Sequence, residues 1–447
     1  MPPEPGARAI PGAPSRTTTV SPARNPPGST GPETGRATPS RTAFNATAQS
    51  PDWSKNWPQF RGPSGDGRAG GAADPPATFN LATDVRFNTN LPASGRSSPI
   101  VWGERIYLTG DQASVMALDR AAGKLQWNTE LKVADAASEP GKDQHGPAPA
   151  GGNAGGAAPT PITDGKFVYA FFGNGILGCV DAAGKQVWAR RLFTGGEGNM
   201  YGLAASPILY GDLLIQVVDR AANARGNGSF VVAVRAIDGT EVWRKDRPTG
   251  SCWTTPAVVH DPTGDVLVTT APSLVIAYDP RTGQQRWQAD GSSDEELTAS
   301  PVICGDGVVA LAGSDGLIAL RVGGKGDVTK SALAWTSDVE PPRVASAIGS
   351  GDGRCYVLGN GVLTCIDCST GNKKWDVKLD ADFFASPVLA KDHIYAISRK
   401  GRLFVVSTPG RVVDDVQLDA GVDATPAIVE GRIYIRTGNG LLCLGRR

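Results

Sequence analysis

The sequence predicts an all-β fold, an eight-bladed β-propeller of four-stranded antiparallel blades closed by an N-terminal strand that completes the last blade. Three observations carry this expectation. A turn followed by a tryptophan recurs along the chain, a strand that opens on a small residue and proline recurs between the copies, and the first and last strand patterns complement each other.

The tryptophan motif reads LDRAAGKLQW to Trp127, VDAAGKQVW to Trp188, AIDGTEVW to Trp243, YDPRTGQQRW to Trp287 and IDCSTGNKKW to Trp375, always with Gly four residues before the Trp. A degenerate copy ends in LAW at Trp335. Asp accepts bonds from its own following backbone and Gly tolerates positive φ, so the pair shapes a tight turn between third and fourth strands. The Trp then has a large flat face to bury against the next blade. These six tryptophans read as structural docking residues.

The opening strands come at Pro99, Pro161, Pro207, Pro256 and Pro301, then at Ala347 in the proline's place, Pro387 and Pro426. That makes eight units. Most lie 39 to 49 residues apart, and the first gap is 62 because 132–158 insert a polar, Gly/Ala-rich loop. Inside a unit four short β patterns alternate with turn signals. Three central hairpins carry Gly-Asn-Gly, at Asn174, Asn360 and Asn439, and Asn-Gly favours the two-residue type I′ turn. The eighth unit supplies PAIVEG, RIYIRTG and LLCLG and then lacks a fourth strand, whereas FNTNL (87–91) matches WNTEL (127–131). The N-terminal strand is therefore expected to complete the eighth blade, with Phe87 in the Trp position.

Lys plus Arg and Asp plus Glu both number 44. That balance argues against a nucleic-acid partner held by a broad basic surface. No run of 18 apolar residues is present, so no transmembrane segment is expected. Residues 1–52 are rich in Pro, Gly, Ser and Thr and are expected to be a disordered tail, leaving 53–447 as the propeller. Ala46-Thr47-Ala48 has the form of a signal-cleavage site, yet no apolar segment precedes it. None of the seven cysteines stands near the N-terminus as a lipid-anchor Cys would.

The repeats resemble the PQQ-like repeat family, whose docking motif runs roughly A-x-D-x-x-T-G-x-x-x-W. The match covers nearly everything from Trp57 to Arg447, and WPQFRGPSGDG (57–67) resembles the start of a large bacterial branch of it. The resemblance implies two functional classes. One is the quinoprotein dehydrogenases, which hold pyrroloquinoline quinone (PQQ) with calcium beside a carboxylate base. The other is non-catalytic propellers such as the lipoprotein of the outer-membrane β-barrel assembly machinery.

The residues favour the second class. The adjacent cysteine pair of alcohol-oxidising members is absent, and the single CxxC, Cys365 to Cys368, is followed by Ser369 where a c-type haem needs His. Cys365 also occupies a third-strand slot filled by Ala117, Cys179, Ala277, Ala319 and Cys443 elsewhere, which is a small-core position. His145, His260 and His393 fall at no metal-ligand spacing. The expectation is thus a monomeric binding or assembly scaffold with no cofactor and no catalytic or metal residue. A protein or peptide partner would meet it at the mouth of the central channel. The alternative is a PQQ- and calcium-dependent oxidoreductase of alcohols or sugars with an atypical site.

Residues just before each first strand should approach that mouth, where propellers bind. Arg96, Tyr201, Trp253, Glu296, Arg343, Phe383 and Asp423 are the candidate rim residues. The competing reading is that they fill the channel and satisfy one another. The resemblance implies a periplasmic or envelope location, and the lack of a visible signal peptide leaves a cytoplasmic one open.

Overall fold

A computed structural model of the chain describes residues 52–111, 113–133, 158–193, 202–220, 228–261, 263–292, 297–305, 307–313 and 316–446. The expected disordered tail, save Asp52, and most of the 132–158 insertion lie outside these residues.

Eight sheets of four antiparallel strands form the eight blades of a propeller, and blade 4 carries a short fifth strand, Gly326–Asp327, parallel to its outer strand. Blades 1 to 7 occupy 100–130, 162–191, 208–246, 257–290, 302–337, 348–378 and 388–417, each running from an inner to an outer strand. Blade 8 takes three strands from 427–445 and its outer strand from Val85–Asn90. Second and third strands such as Leu213–Val218 are buried throughout, while outer strands such as Leu125–Glu130 alternate. Their exposed positions carry charge, Lys245, Lys373 and Lys378 among them, which guards an open sheet edge.

The tryptophan motif acts between blades. Each outer-strand Trp stands opposite a small third-strand residue, as in Trp127 against Ala117, Trp188 against Cys179 and Trp375 against Cys365. A register shift follows at once, so a β-bulge swings the ring out of its own sheet. In five of the six the ring lies on the turn glycine of the following blade, Trp287 being the exception. A Cβ on Gly184 would fall 2.5 Å from Trp127, on Gly239 2.6 Å from Trp188 and on Gly371 2.5 Å from Trp335. The indole N–H reaches a carbonyl in the same turn from Trp127 to Ala182 (3.2 Å), Trp188 to Ala236 (2.9 Å) and Trp243 to Pro280 (3.1 Å), whereas that of Trp287 is buried with no partner among the described residues. The glycine is therefore needed twice, for its φ of +85° at Gly184 and as a bare platform for its neighbour's ring. Gly184→Ala is expected to cost about 2–4 kcal/mol in urea unfolding, from left-handed strain plus overpacking. A loss below about 1 kcal/mol would show that the ring can slide away.

At the channel the blades are joined by hydroxyls. In blades 1 to 7 the Ser or Thr before the opening Pro or Ala donates its backbone N–H to the matching hydroxyl of the next blade. Ser98 to Thr160, Thr160 to Ser206, Ser206 to Thr255 and Thr255 to Ser300 all measure 3.0 Å. Ser300 to Ser346, Ser346 to Ser386 and Ser386 to Thr425 continue the belt at 2.9, 2.9 and 3.0 Å. The small residue noted in the sequence is thus a buried cross-link that satisfies an inner-strand amide.

Closure follows the same rules. Phe87 pairs with Cys443 after a register shift and lies over Gly123 of blade 1, where a Cβ would be 2.3 Å from its ring. Among the Gly-Asn-Gly hairpins only Asn360–Gly361 has both residues at positive φ, 45° and 76°, as a type I′ turn requires. Asn174 sits in a wider loop that Gly175 ends, and Gly438–Asn439 turns without positive φ, so two of the three hairpins close differently.

A disulfide absent from the sequence expectations joins Cys304, after the inner strand of blade 5, to Cys368 in the docking turn of blade 6. The same turn receives Trp335, whose indole donates to the Cys368 carbonyl at 2.7 Å. The bond thus staples the interface served by the degenerate motif copy. Cys304→Ala/Cys368→Ala is expected to lose about 4 kcal/mol, the loop-closure value for a 64-residue separation, with no further loss in reductant. Equal stability of both proteins without reductant would contradict the staple.

Candidate functional site

The channel has two unlike mouths. The far ends of the inner strands are covered by the chain's own N-terminal segment. Trp57 exchanges backbone bonds with Val101 of blade 1 (2.9 and 2.8 Å), and the Pro58 carbonyl accepts from Thr163 of blade 2 (3.0 Å). Arg61 crosses to the carbonyls of Pro301 and Ala347 in blades 5 and 6. Asp66 and Gly67 accept from Gly349 (3.2 Å) and Leu389 (2.9 Å), and Asp74 donates to Glu430 of blade 8 (2.7 Å). A small void of about 20 Å³ lies between residues 59–66 and blades 3 to 5. The WPQFRG stretch, noted in the sequence only for its resemblance, is thus a plug. Burial pushes the Arg61 pKa down to about 10.

The opposite mouth holds a cavity of about 1410 Å³. Segments preceding the inner strands bring Arg96, Arg343, Phe383 and Asp423 to its wall, and hairpin turns between second and third strands add Asp111, Asn360, Arg399 and Asn439. Asp423 sits between two arginines, 3.7 Å from Arg96 and 3.2 Å from Arg399. Arg399 also reaches Asp382 at 3.4 Å and lies 3.8 Å over the Phe384 ring. Phe383 turns inward, 6% exposed, against Phe404. Arg343 is exposed and has no ion-pair partner among the described residues.

Other candidates lie elsewhere. Trp253 is buried, with its indole donating to the Gly202 carbonyl at 2.8 Å, and it does not line this cavity. Tyr201 and Glu296 lie outside the described residues. Sequence reasoning missed Arg399, Lys400 and Arg436, which reach the same mouth from hairpin turns or second strands and carry no motif.

The site's chemistry is that of a charged, partly apolar receptor. Asp423 and Asp382 are engaged by arginines rather than grouped for a cation, and no cluster of three His, Cys, Asp or Glu fit for a metal occurs among the described residues. Asp423 and Asp382, held in this way, are not offered to a calcium ion beside a quinone. Burial pushes the Cys252 and Cys365 thiols up to about 11, too high for a thiolate at neutral pH. His260 pairs with Asp265 at 2.9 Å on an exposed edge, and His145 lies outside the described residues.

The model of a family described as outer membrane protein assembly factor BamB matches residues 81–217, 144–332 and 325–437. A curated relative of that name from Burkholderia pseudomallei (strain K96243) is 27% identical over 234 residues, 48% of this chain and 54% of the relative. The chain thus spans about half the length of that relative. Among solved structures, BamB from Moraxella catarrhalis aligns with a TM-score of 0.56 at 14% identity, covering 81% of this chain and 98% of that one. A quinohemoprotein alcohol dehydrogenase from Comamonas testosteroni gives 0.61 at 15% identity, covering 89% and 82%. A europium-containing methanol dehydrogenase gives 0.64 at 12% identity, covering 87% and 90%. Likeness at these identities concerns the fold alone.

Proposed function

The chain belongs to the family described as outer membrane protein assembly factor BamB, and on that premise we propose that it is a non-catalytic binding scaffold of the cell envelope. In this reading a protein partner docks at the open channel mouth. The observation that carries it is the asymmetry of the two mouths. One is sealed by 57–74, whereas the other presents a large cavity walled by Arg96, Arg343, Phe383 and Asp423. A rigid ring holds those loops in place, so little ordering entropy opposes docking. The arginine-engaged acids Asp382 and Asp423 favour this reading over the quinone-dependent oxidoreductase. An envelope location is supported by the Cys304–Cys368 disulfide, because such bonds persist in oxidising compartments.

The test is site-specific photo-crosslinking in the envelope of the source cell. A photoreactive residue replacing Arg343 at the open mouth is compared with one replacing Asp392, an exposed turn residue beside the plugged mouth. A discrete adduct from position 343 and none from 392 is the expected result. Adducts from 392 alone would overturn the reading.

A further inference from the structure

We propose that the open mouth is a receptor for an acidic polypeptide segment, one that presents Asp and Glu side chains to a field of uncommitted cations. This rests on the reading that a partner docks at this mouth, and it names the chemistry recognised there.

The protein as a whole is formally neutral, but the cavity is not. Six basic side chains and four acidic ones line it. The acids are unevenly used: Asp423 is held by Arg96 and Arg399, and Asp382 by Arg399. Arg343, Lys400 and Arg436 have no carboxylate within ion-pair distance among the described residues. Arg343 and Lys400 are exposed and free to meet a ligand.

Arg436 is the independent observation. It is 2% exposed, forms part of the cavity lining, and donates only to neutral acceptors: Ser97 Oγ (2.7 Å) and the carbonyls of Thr109 (2.6 Å), Ala93 (3.4 Å) and Ser97 (3.5 Å). Its Nε has no hydrogen-bond partner among the described residues. Burial pushes the pKa of this guanidinium down to about 10, and the field of Asp111, which is not in ion-pair contact with it, offsets that cost only in part. A carboxylate entering the cavity would be drawn towards it in a medium of lowered dielectric. The cavity also exceeds the roughly 300–1,000 Å³ typical of small-ligand pockets, and Phe383, Leu358 and Val422 supply an apolar wall for backbone and methylenes. A polymer segment fits these dimensions better than a single small anion.

The experiment uses the full chain and a fluorescein-labelled octaglutamate peptide, read by anisotropy at low and moderate salt. Saturable binding is expected, weakening several-fold as salt rises. Octaglutamine and octalysine should not bind, and citrate should not compete at comparable concentration. Competition by citrate would assign the site to small polycarboxylates and overturn the peptide proposal. Arg343→Glu/Lys400→Glu should weaken octaglutamate binding at least about tenfold with unchanged melting, since both side chains are exposed. Lys325→Glu/Lys330→Glu, an equal charge change on exposed residues that do not line the cavity, should leave binding intact. Arg436→Met should also weaken binding, with melting measured alongside because the change removes bonds between blades 8 and 1. Absent binding, or binding indifferent to the mouth pair, overturns the proposal. A crosslinked partner at position 343 would in that case leave the docking reading standing, with a ligand of other chemistry.

Discussion

Asp219→Ala is expected to cost about 3–5 kcal/mol of unfolding free energy, the value for stripping one partner from a buried ion pair. Both side chains of the Asp219–Arg247 pair are 0% exposed. The contact is bidentate, with Arg247 Nε 2.8 Å and Nη2 3.1 Å from the two carboxylate oxygens. Arg247 also donates to the Thr269 hydroxyl and the Thr270 carbonyl (3.3 Å), so a pair seated in blade 3 is bonded into blade 4. Thr249 gives Asp219 a further hydrogen bond at 3.3 Å. Burial acts to lower the Arg247 pKa, but the field and hydrogen bonds of Asp219 more than reverse it, so the guanidinium remains charged. Removing the carboxylate therefore leaves a sealed cation with neutral acceptors alone. Urea unfolding reads the loss directly. Asp219→Leu/Arg247→Met should recover most of it, because a packed apolar pair replaces the ion pair without a stranded charge. If the double variant is as unstable as Asp219→Ala, the loss comes from packing and the electrostatic account fails.

What could be read in the sequence follows from the range of each interaction. Blade number, strand order and the Trp docking positions repeat every few dozen residues, so six tryptophans in one register report one geometry repeated. The closing strand was legible for the same reason, because Phe87-Asn88-Thr89 copies Trp127-Asn128-Thr129. Features made between units left fainter traces. The residue before each proline was visible as small, but its hydroxyl has a purpose only once the next blade stands beside it. The Cys304–Cys368 bond links positions 64 apart, and spacing alone does not fix connectivity among seven cysteines. The plug at 57–74 has no period and no β pattern, and it is held by backbone bonds that any side chain permits together with the Arg61 side chain, whose acceptors lie 240 and 286 residues away. Arg343 and Asp423 could be chosen because both precede an inner strand. Arg399 and Arg436 could not, since nothing in the chain shows that hairpin turns open onto the same mouth. Trp253 shows the converse: its place before an inner strand suggested a rim, yet its indole is buried against the Gly202 carbonyl.

A chain beginning at residue 92 is expected to lose its single cooperative unfolding transition and to aggregate, because it lacks the outer strand of blade 8. Val85–Asn90 pairs along Gly440–Gly445, placing Phe87 opposite Cys443 and Thr89 opposite Leu441. Leu441, Cys443 and Leu444 are 0% exposed with that strand in place. Without it they form a bare, apolar sheet edge, the template on which chains add to one another. Phe87 is also lost from its seat over Gly123, which removes the docking contact from the one interface joining the two ends of the chain. Other bonds span that interface, Arg120 to the Tyr434 hydroxyl (3.1 Å) and Arg436 to Ser97 Oγ (2.7 Å), yet they do not cover the edge. The truncation removes the plug as well, so a second protein separates the two effects. In a permuted chain, 85–91 follow Gly445 through a short Gly/Ser turn. Val85 already lies opposite Leu444 in an antiparallel pair, so a hairpin connection is short enough. Recovery of a single transition in the permuted protein assigns closure to the strand. If both proteins fail alike, the plug across the channel holds the ring, and the strand is only its edge cover.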